Sequence, residues 1–231
     1  LRAGITCFHV MPGESDLVGG QTAVVKVDPD GHVTWLRRSA LLKISLATAA
    51  WDKKTPPTHL LGGLEDLAAL KDDPAVKPFW STACLVAARS SAEIAAATDL
   101  KRRLGIEPLL LVNANIVDHT DRLVGNVRGV LLEPLLPQLG NHWRRAAARL
   151  AASGVPFAFA SRAPVAPADG LRLSAVTARM GGLSRSDAWK ALTLDAARLL
   201  GVDARVGSIE VGKDADILVM TREPSDPRAR L

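Results

Sequence analysis

The chain has 231 residues, 48% of them hydrophobic, which is enough to bury a sizeable core in one large domain or two small ones. No apolar run approaches the roughly 20 residues that a membrane span requires, so membrane insertion is not expected. The net charge of +5 comes from 29 basic and 24 acidic residues. The arginines are scattered or paired without interleaved aromatic residues, which predicts a solvated basic surface rather than a nucleic-acid interface.

Cysteines and the start of the chain give little information on chemistry. Cys7 and Cys84 lie in apolar runs without CxxC spacing, which predicts buried free thiols rather than a disulfide or a zinc site. The sequence begins at Leu1 without an initiating Met or the regions of a signal peptide. We therefore expect residues before Leu1, and the cellular compartment stays open.

The first third of the chain is strand-like. Gly, Pro and Asp separate four short apolar segments, at residues 5–11, 23–27, 32–36 and 41–47. The Gly-rich stretch 18–27 lacks the phosphate-binding glycine motifs, and a tight turn is predicted there.

From residue 78 onward, apolar runs alternate with helical segments. The predicted strands are 78–88, 108–115, 127–134 and 155–161, and the predicted helices are 90–105, 141–153, 171–180 and 184–201. Continuous apolar strands that alternate with helices indicate a parallel α/β sheet. The tail returns to a strand-and-turn pattern at 206–220, which predicts a small separate β element.

Several helix ends carry capping signals. Ser90 and Glu93 have capping-box spacing, and Gly105 follows as a C-cap. Asn141 is predicted as the N-cap of the next helix, and Ser184 as the N-cap of the last one.

In a parallel α/β domain, reactive groups cluster at the carboxyl ends of the strands. A metal hydrolase needs three or four His, Asp, Glu or modified Lys ligands converging there, and this chain offers few. The positions at predicted strand ends are His9, Lys26, Lys43, the stretch after Val86, residues 113–115, Glu133 and Arg162.

The histidines are weak candidates as ligands. A lone His9 near an apolar strand is more often a core residue than a metal ligand, and His119 lies in a short Asp-rich loop whose neighbouring side chains rarely converge on one ion. The other three histidines, His32, His59 and His142, are predicted to be at the surface or in packing positions.

The tail carries a family pattern. Residues 192–231, with Thr193 to Gly201 followed by Gly-Ser-Ile-Glu-Val-Gly-Lys-Asp-Ala-Asp, resemble the carboxyl-terminal signature of the amidohydrolase superfamily, particularly its imidazolonepropionase-like branch. Residues 2–27 are similar to the family's second barrel strand and the loop after it. Residues 41–46 resemble the strand whose lysine is carbamylated in some members.

The resemblance implies a metal-dependent (β/α)8 TIM-type barrel, here incomplete or closed by a partner, with a small β-sandwich element at the C-terminus. Residues 1–203 would form the barrel without its first strand, and residues 204–231 the remnant of the sandwich. Within the tail, Lys213 and Asp216 would lie at the junction, and Ile209 and Ala215 in the core.

The metal site is where this sequence departs from the family. The family's His-x-His would precede Leu1. Ala87 stands where the family has a histidine, and Asn113 and Ala114 are the nearest positions to the next one. Arg162 replaces the catalytic aspartate, and a guanidinium neither binds a cation nor acts as a base at neutral pH. Lys43 remains, but its carbamate needs metal ions.

Three hypotheses follow. The first is a catalytically inactive amidohydrolase-like protein, without metal, that acts as a scaffold or partner subunit. The second is an active hydrolase of C–N bonds that uses zinc or another divalent ion, with ligands outside this segment and unconventional ones such as Lys43, His9 and His119. The third is a module that binds an anionic molecule through Arg162 and Lys43, with His9 as a weaker contact. Arg162 is also expected to neutralise a nearby acid such as Glu133.

The missing barrel strand predicts a partner. A barrel without one strand exposes unpaired backbone edges. We expect residues before Leu1, another polypeptide in a homo- or hetero-oligomer, or a rearranged strand to fill the gap.

Overall fold

The computed structural model describes residues 4–51, 54, 56–80, 83–163, 170–223, 226 and 228–229, apart from the side chain of Phe79. Its strands form two sheets, one of three strands and one of six. The strands are β1 (Cys7–Val10), β2 (Val18–Gln21), β3 (Ala23–Val27), β4 (Val33–Arg37), β5 (Leu42–Ser45), β6 (Cys84–Ala87), β7 (Leu109–Val112), β8 (Gly129–Leu132) and β9 (Phe157–Phe159).

The larger sheet has the order β2-β5-β6-β7-β8-β9. Strands β5 to β9 are parallel, and β2 runs antiparallel beside β5. Every residue of β5 to β9 is buried, which explains why these strands read as continuous apolar runs. The expected α/β fold with a parallel sheet is confirmed, and in the part of the chain that the structure describes the sheet stays open at β2 and β9.

Helices follow the strands in the expected alternation. They are α1 (Thr48–Trp51), α2 (Leu60–Lys71), α3 (Lys77–Trp80), α4 (Ser91–Leu104), α5 (Thr120–Leu123), α6 (Asn141–Arg144), α7 (Ala146–Ala152), α8 (Gly170–Met180), α9 (Arg185–Leu192) and α10 (Leu194–Leu200), with a 3-10 helix at Ala114–Asp118. None of the helices in these ranges is long and apolar enough to cross a membrane.

The core consists of two apolar layers, one on each face of the parallel sheet. Alternate residues such as Ile44 and Leu110 pack with the helices, and Ile94 of α4 is part of that layer. The residues between them, such as Leu85 and Leu111, form the second layer with β3 and α10. Side chains of a strand alternate between its two faces. Lys43 and Glu133 therefore lie on the same face of the sheet as the second layer.

Most of the predicted capping residues cap helices in the structure. Ser90 and Glu93 form a complete capping box, and Gly105 ends the helix in the left-handed conformation with φ 70°. Ser184 accepts a hydrogen bond from the Asp187 backbone N–H, as predicted. Asn141, however, is not an N-cap: it is the first residue of α6, and Gly140 occupies the cap without a side-chain hydrogen bond.

Two predicted helices are each divided in the structure. The segment 141–153 breaks at Arg145 into α6 and α7, and the segment 184–201 breaks at Thr193 into α9 and α10. Periodicity alone does not reveal such breaks, because the apolar pattern continues through them.

The amino-terminal third differs most from the expectation. β1 does not join the parallel sheet as a second barrel strand; it pairs antiparallel with β3, which pairs with β4. Its residues are only partly buried, as suits a sheet with one solvated face. The Gly-rich stretch 18–27 forms the strands β2 and β3 rather than a tight turn, and the pairing of β2 has a register shift near Gly20, whose φ is 102°.

The predicted strand 78–88 begins later than expected. Residues 77–80 are helical, the strand starts at Cys84, and residues 81–82 lie outside the described part. Both cysteines are free thiols as predicted, but only Cys84 is fully buried.

The tail contains no strand among its described residues. Ile209 is 84% exposed and Ala215 is also exposed, so the expectation that they lie in a core is wrong. The tail is held to β3 by charge instead: Lys26 Nζ lies 2.9 Å from Asp214 and 2.7 Å from Asp216. A segment that pairs with no strand among the described residues leaves its apolar side chains exposed, and the sandwich element stays a prediction.

Gly129 allows β8 and β9 to approach closely. A Cβ at this position would come within 2.7 Å of the Pro156 carbonyl oxygen and 2.5 Å of Leu199 Cδ2. We predict that Gly129→Ala lowers the free energy of unfolding by about 1–3 kcal/mol, as measured by urea denaturation. Gly170→Ala is the matched control, since its Cβ would meet no atom of the described residues within 4 Å and the substitution should cost little. Equal stabilities of the two variants would contradict this packing.

Candidate functional site

Four charged or polar side chains follow the carboxyl ends of β6 to β9, and a lysine within β5 lies beside them. Lys43 lies within β5, Arg89 two residues after β6, Asn113 directly after β7, Glu133 directly after β8 and Arg162 three residues after β9. Lys43, Asn113 and Glu133 keep the two-residue phase of the apolar layer that contains Leu85, Leu111 and Leu131. The alternation within each strand thus determines which side chains can meet.

The four charged residues of this set and Glu14 form a chain of ion pairs. We call this chain the strand-end cluster; in order, it consists of Lys43, Glu14, Arg89, Glu133 and Arg162. Arg89 Nε and Nη2 donate to the Glu14 carboxylate at 3.0 and 2.6 Å, and Arg89 Nη1 donates to Glu133 Oε2. Arg162 Nε lies 3.4 Å from Glu133 Oε1, which confirms the expected neutralisation. Lys43 Nζ lies 3.7 Å from Glu14 Oε1.

Burial sets the electrostatics of the cluster. Burial by itself would lower the pKa of Arg89, but its hydrogen bonds to Glu133 and Glu14 outweigh this and raise the pKa. The pKa of Lys43 is lowered by burial and by the neighbouring Arg89, although Glu14 and Glu133 act in the opposite direction. Lys43 Nζ is fully buried and has no hydrogen-bond partner among the described residues.

Arg162 is held in an unusual backbone conformation. Its φ is +55°, and it is the one residue other than glycine with a positive φ among those the structure describes. The left-handed region costs a bulky residue about 1–2 kcal/mol. This conformation accompanies the contact with Glu133, while the side chain remains 48% exposed.

An open cavity of about 380 Å³ adjoins the cluster. Its lining consists of Glu14, Ala47, Thr48, Ala49, Arg89, Ser90, Glu93, Asn113 and Asn115. The Glu93 carboxylate accepts from the backbone N–H groups of Arg89 and Ser90 and from Thr48 Oγ1. Glu93 is therefore compensated by the start of α4 rather than by the cluster.

The residues singled out from the sequence are only partly brought together. Lys43 and Arg162 belong to the cluster, and Asn113 lines the cavity, where its side chain accepts from the Asn115 backbone N–H. Ala87 is fully buried in the apolar layer below. Ala114 begins the 3-10 helix and packs against the helix-facing core, so it has no place in the cluster.

Sequence reasoning missed Glu14 and found Arg89 only as part of a stretch. Glu14 lies in the loop between β1 and β2, about 75 residues before its partner in the chain. The one available signal was the excess of basic over acidic side chains at the predicted strand ends, which requires an acid from elsewhere.

The histidines lie apart from the cluster except for His9. His119 Nε2 lies 3.0 Å from Ser91 Oγ, His142 lies 2.9 Å from Asp118, and His59 caps α2. These contacts agree with the predicted surface and packing roles. His9 has both ring nitrogens buried without hydrogen-bond partners among the described residues. Burial, helped by Lys43, lowers its pKa to about 4, so the ring is neutral at pH 7.

The residues present do not fit the divalent metal ion that the fold family implies. Glu14 and Glu133 already bind Arg89, and a guanidinium and an ammonium group lie beside them. Within the described ranges, a single group of three His, Cys, Asp or Glu residues has converging ligand atoms: Asp28, Asp30 and His32, in the connection between β3 and β4. That group includes neither His9 nor His119.

The lowered pKa of His9 predicts how the free energy of unfolding depends on pH. Its folded-state pKa of about 4 lies below the usual 6.5, so protons bind the unfolded chain first as the pH falls. Stability from this residue is full above pH 6.5 and is lost between pH 6.5 and 4, by up to about 3 kcal/mol. We predict that His9→Gln flattens this part of the pH dependence in urea denaturation. Parallel pH curves for the variant and the unchanged protein would contradict the assignment.

Comparisons with known proteins agree with this architecture. A crystal structure of an amidohydrolase from Thermotoga maritima MSB8 aligns over 99% of this chain and 70% of its own, with a TM-score of 0.83 and 22% identity, which shows a shared fold. An adenosine deaminase from Xanthomonas campestris with bound zinc aligns over 76% of this chain and 51% of its own, at 18% identity. Its TM-score of 0.36 is too low to indicate a common fold. No curated protein sequence matches the chain significantly.

The amino-acid sequence also matches a protein family. The model of the amidohydrolase family matches residues 86–229, from within β6 through the tail. That segment contains Arg89, Glu133 and Arg162 of the strand-end cluster. Because the match covers more than half of the chain, the protein belongs to the amidohydrolase family.

Proposed function

We propose that this amidohydrolase-family protein does not carry out metal-dependent hydrolysis and acts as a scaffold or partner subunit. The observation that carries the proposal is the pairing of both cluster carboxylates with Arg89. In this proposal no metal cofactor is required.

Charge supports the loss of metal chemistry. A divalent ion at the strand ends would have to displace Arg89 from two carboxylates, one of which, Glu133, has a side chain only 5% exposed. Removing one partner from a buried charge pair costs about 3–5 kcal/mol. Arg162, in the position where the family resemblance puts an aspartate, adds a repelling charge 3.4 Å from Glu133.

We also propose that the protein belongs to the imidazolonepropionase-like branch of the family. The tail pattern Gly-Ser-Ile-Glu-Val-Gly-Lys-Asp-Ala-Asp at 207–216 favours the imidazolonepropionase-like branch. Asp214 and Asp216 of this segment form ion pairs with Lys26, which gives the two aspartates a structural role at the junction with β3.

One observation favours the alternative of an active hydrolase of C–N bonds. His9 is a neutral imidazole with two unpaired nitrogens, which is the form that binds zinc. A catalytic zinc site needs three protein ligands, however, and His119 is engaged with Ser91 instead. The missing ligands would then have to come from outside these residues.

The open sheet supports a partner. Both edge strands, β2 and β9, lack a second neighbour among the described strands. The position beside β5 is occupied by the antiparallel β2, which corresponds to the rearranged strand considered above. At the β9 edge we propose that residues outside this sequence or another polypeptide add backbone hydrogen bonds.

Metal analysis tests the proposal. We predict that the purified full chain, supplied with zinc during expression, holds far less than one equivalent of any divalent ion by mass spectrometry. Chelation should leave the Tm unchanged, because no folding energy comes from a metal. A stoichiometric ion that is lost together with stability would overturn the proposal and favour the active hydrolase.

The open edge makes a separate prediction on assembly. We predict that these 231 residues on their own associate as the concentration rises, as measured by sedimentation velocity and native mass spectrometry, because the β9 edge offers unpaired backbone groups. A monodisperse monomer over the full concentration range would contradict the need for a partner.

A further inference from the structure

One carboxylate of the strand-end cluster comes from a loop. Glu14 lies between β1 and β2, whereas Lys43, Arg89 and Glu133 are carried on or directly after strands of the sheet. The Glu14 carboxylate accepts from two nitrogens of Arg89, at 3.0 and 2.6 Å, and lies 3.7 Å from Lys43. Such a two-pronged contact with a second cation nearby is how proteins recognise a carboxylate. The rigid sheet thus presents a carboxylate site, and a loop side chain fills it.

The charges of the cluster are unbalanced with Glu14 in place. Three cations, Lys43, Arg89 and Arg162, face the two carboxylates of Glu14 and Glu133. Lys43 Nζ is fully buried and has no hydrogen-bond partner within the described ranges. A buried cation without hydrogen bonds is costly, so an additional or better-placed acceptor would stabilise the protein.

The cavity gives a ligand access to this site. Glu14 and Arg89 form part of its wall, and the rest of the wall includes amide and hydroxyl groups from Asn113, Asn115 and Thr48. The wall also contains the Glu93 carboxylate, whose charge is compensated by hydrogen bonds from backbone N–H groups at the start of α4. A ligand whose carboxylate took the place of Glu14 would project its remaining atoms into this polar space.

We propose that Arg89 and Lys43 form a binding site for small polar carboxylates, and that Glu14 occupies this site until a ligand displaces it. The inference rests on the proposed function, since a metal ion at the strand ends would compete for the same carboxylates. It assigns to the site a ligand class and to the Glu14 loop the role of an exchangeable occupant.

Acetate tests the site directly. Glu14→Ala removes one CH2 group and one carboxylate group, which together match the size of acetate, so acetate should refill the space in this variant. We expect acetate to raise the Tm of Glu14→Ala by at least about 2 °C relative to sodium chloride of equal ionic strength. Isothermal titration should give an acetate affinity at least about tenfold higher for the variant than for the unchanged protein, in which Glu14 competes at a high effective concentration.

Three controls isolate the carboxylate. Acetamide, which has the same shape without the charge, should not stabilise Glu14→Ala. Glu14→Gln should not respond to acetate, because the amide fills the space. Glu107→Ala removes an exposed carboxylate that pairs with Lys101 on the surface, and acetate should leave its Tm unchanged.

Each outcome decides the proposal. Equal responses to acetate and acetamide, or equal acetate affinities with and without Glu14, would overturn it. If Glu14→Ala is unfolded alone, acetate but not acetamide has to restore its far-UV circular dichroism. The titrations use protein whose metal content has been measured. Stoichiometric metal refutes the proposed function, whereas metal-free protein without acetate binding refutes this inference alone.

Discussion

The double contact of Arg89 with Glu14 and Glu133 organises the chemistry of this protein. It joins a loop of the amino-terminal third to two strands of the parallel sheet, and it places a permanent cation between two carboxylates. Removing this guanidinium would leave Glu14 with only the more distant Lys43 and Glu133 with only the more distant Arg162, so the charge pattern of the whole strand edge depends on Arg89. Lys43 and Arg162 then extend the same chain of alternating charges at its two ends.

This arrangement inverts the polarity that a hydrolytic metal centre needs. Metal sites use anionic and neutral donors with an open coordination position, whereas here both carboxylates of the cluster are paired with Arg89. The fold of the amidohydrolase family and the position of the cluster at the strand ends are retained. In the proposals above, this edge therefore takes an anionic carboxylate as its ligand in place of a divalent ion.

The scaffold beneath the cluster is more complete than its surroundings. Strands β5 to β9 are buried throughout and sandwiched between two apolar layers, so the strand ends are rigidly placed. The tail, in contrast, is attached through Lys26 and its two aspartates while Ile209 and Val219 remain exposed. The exposed apolar residues of the tail and the open sheet edge are the observations that led us to propose a partner.

The sequence by itself determined the local and periodic features. The parallel strands, the capping box of Ser90 and Glu93, and the family pattern of the tail were all readable, because each depends on residues close together in the chain. Tertiary structure alone decided that β1 leaves the parallel sheet, that Ala114 turns away from the strand edge, and that Glu14 meets Arg89. These features depend on contacts between distant segments, and the energy of an ion pair is set by burial and geometry that no spacing of residues encodes.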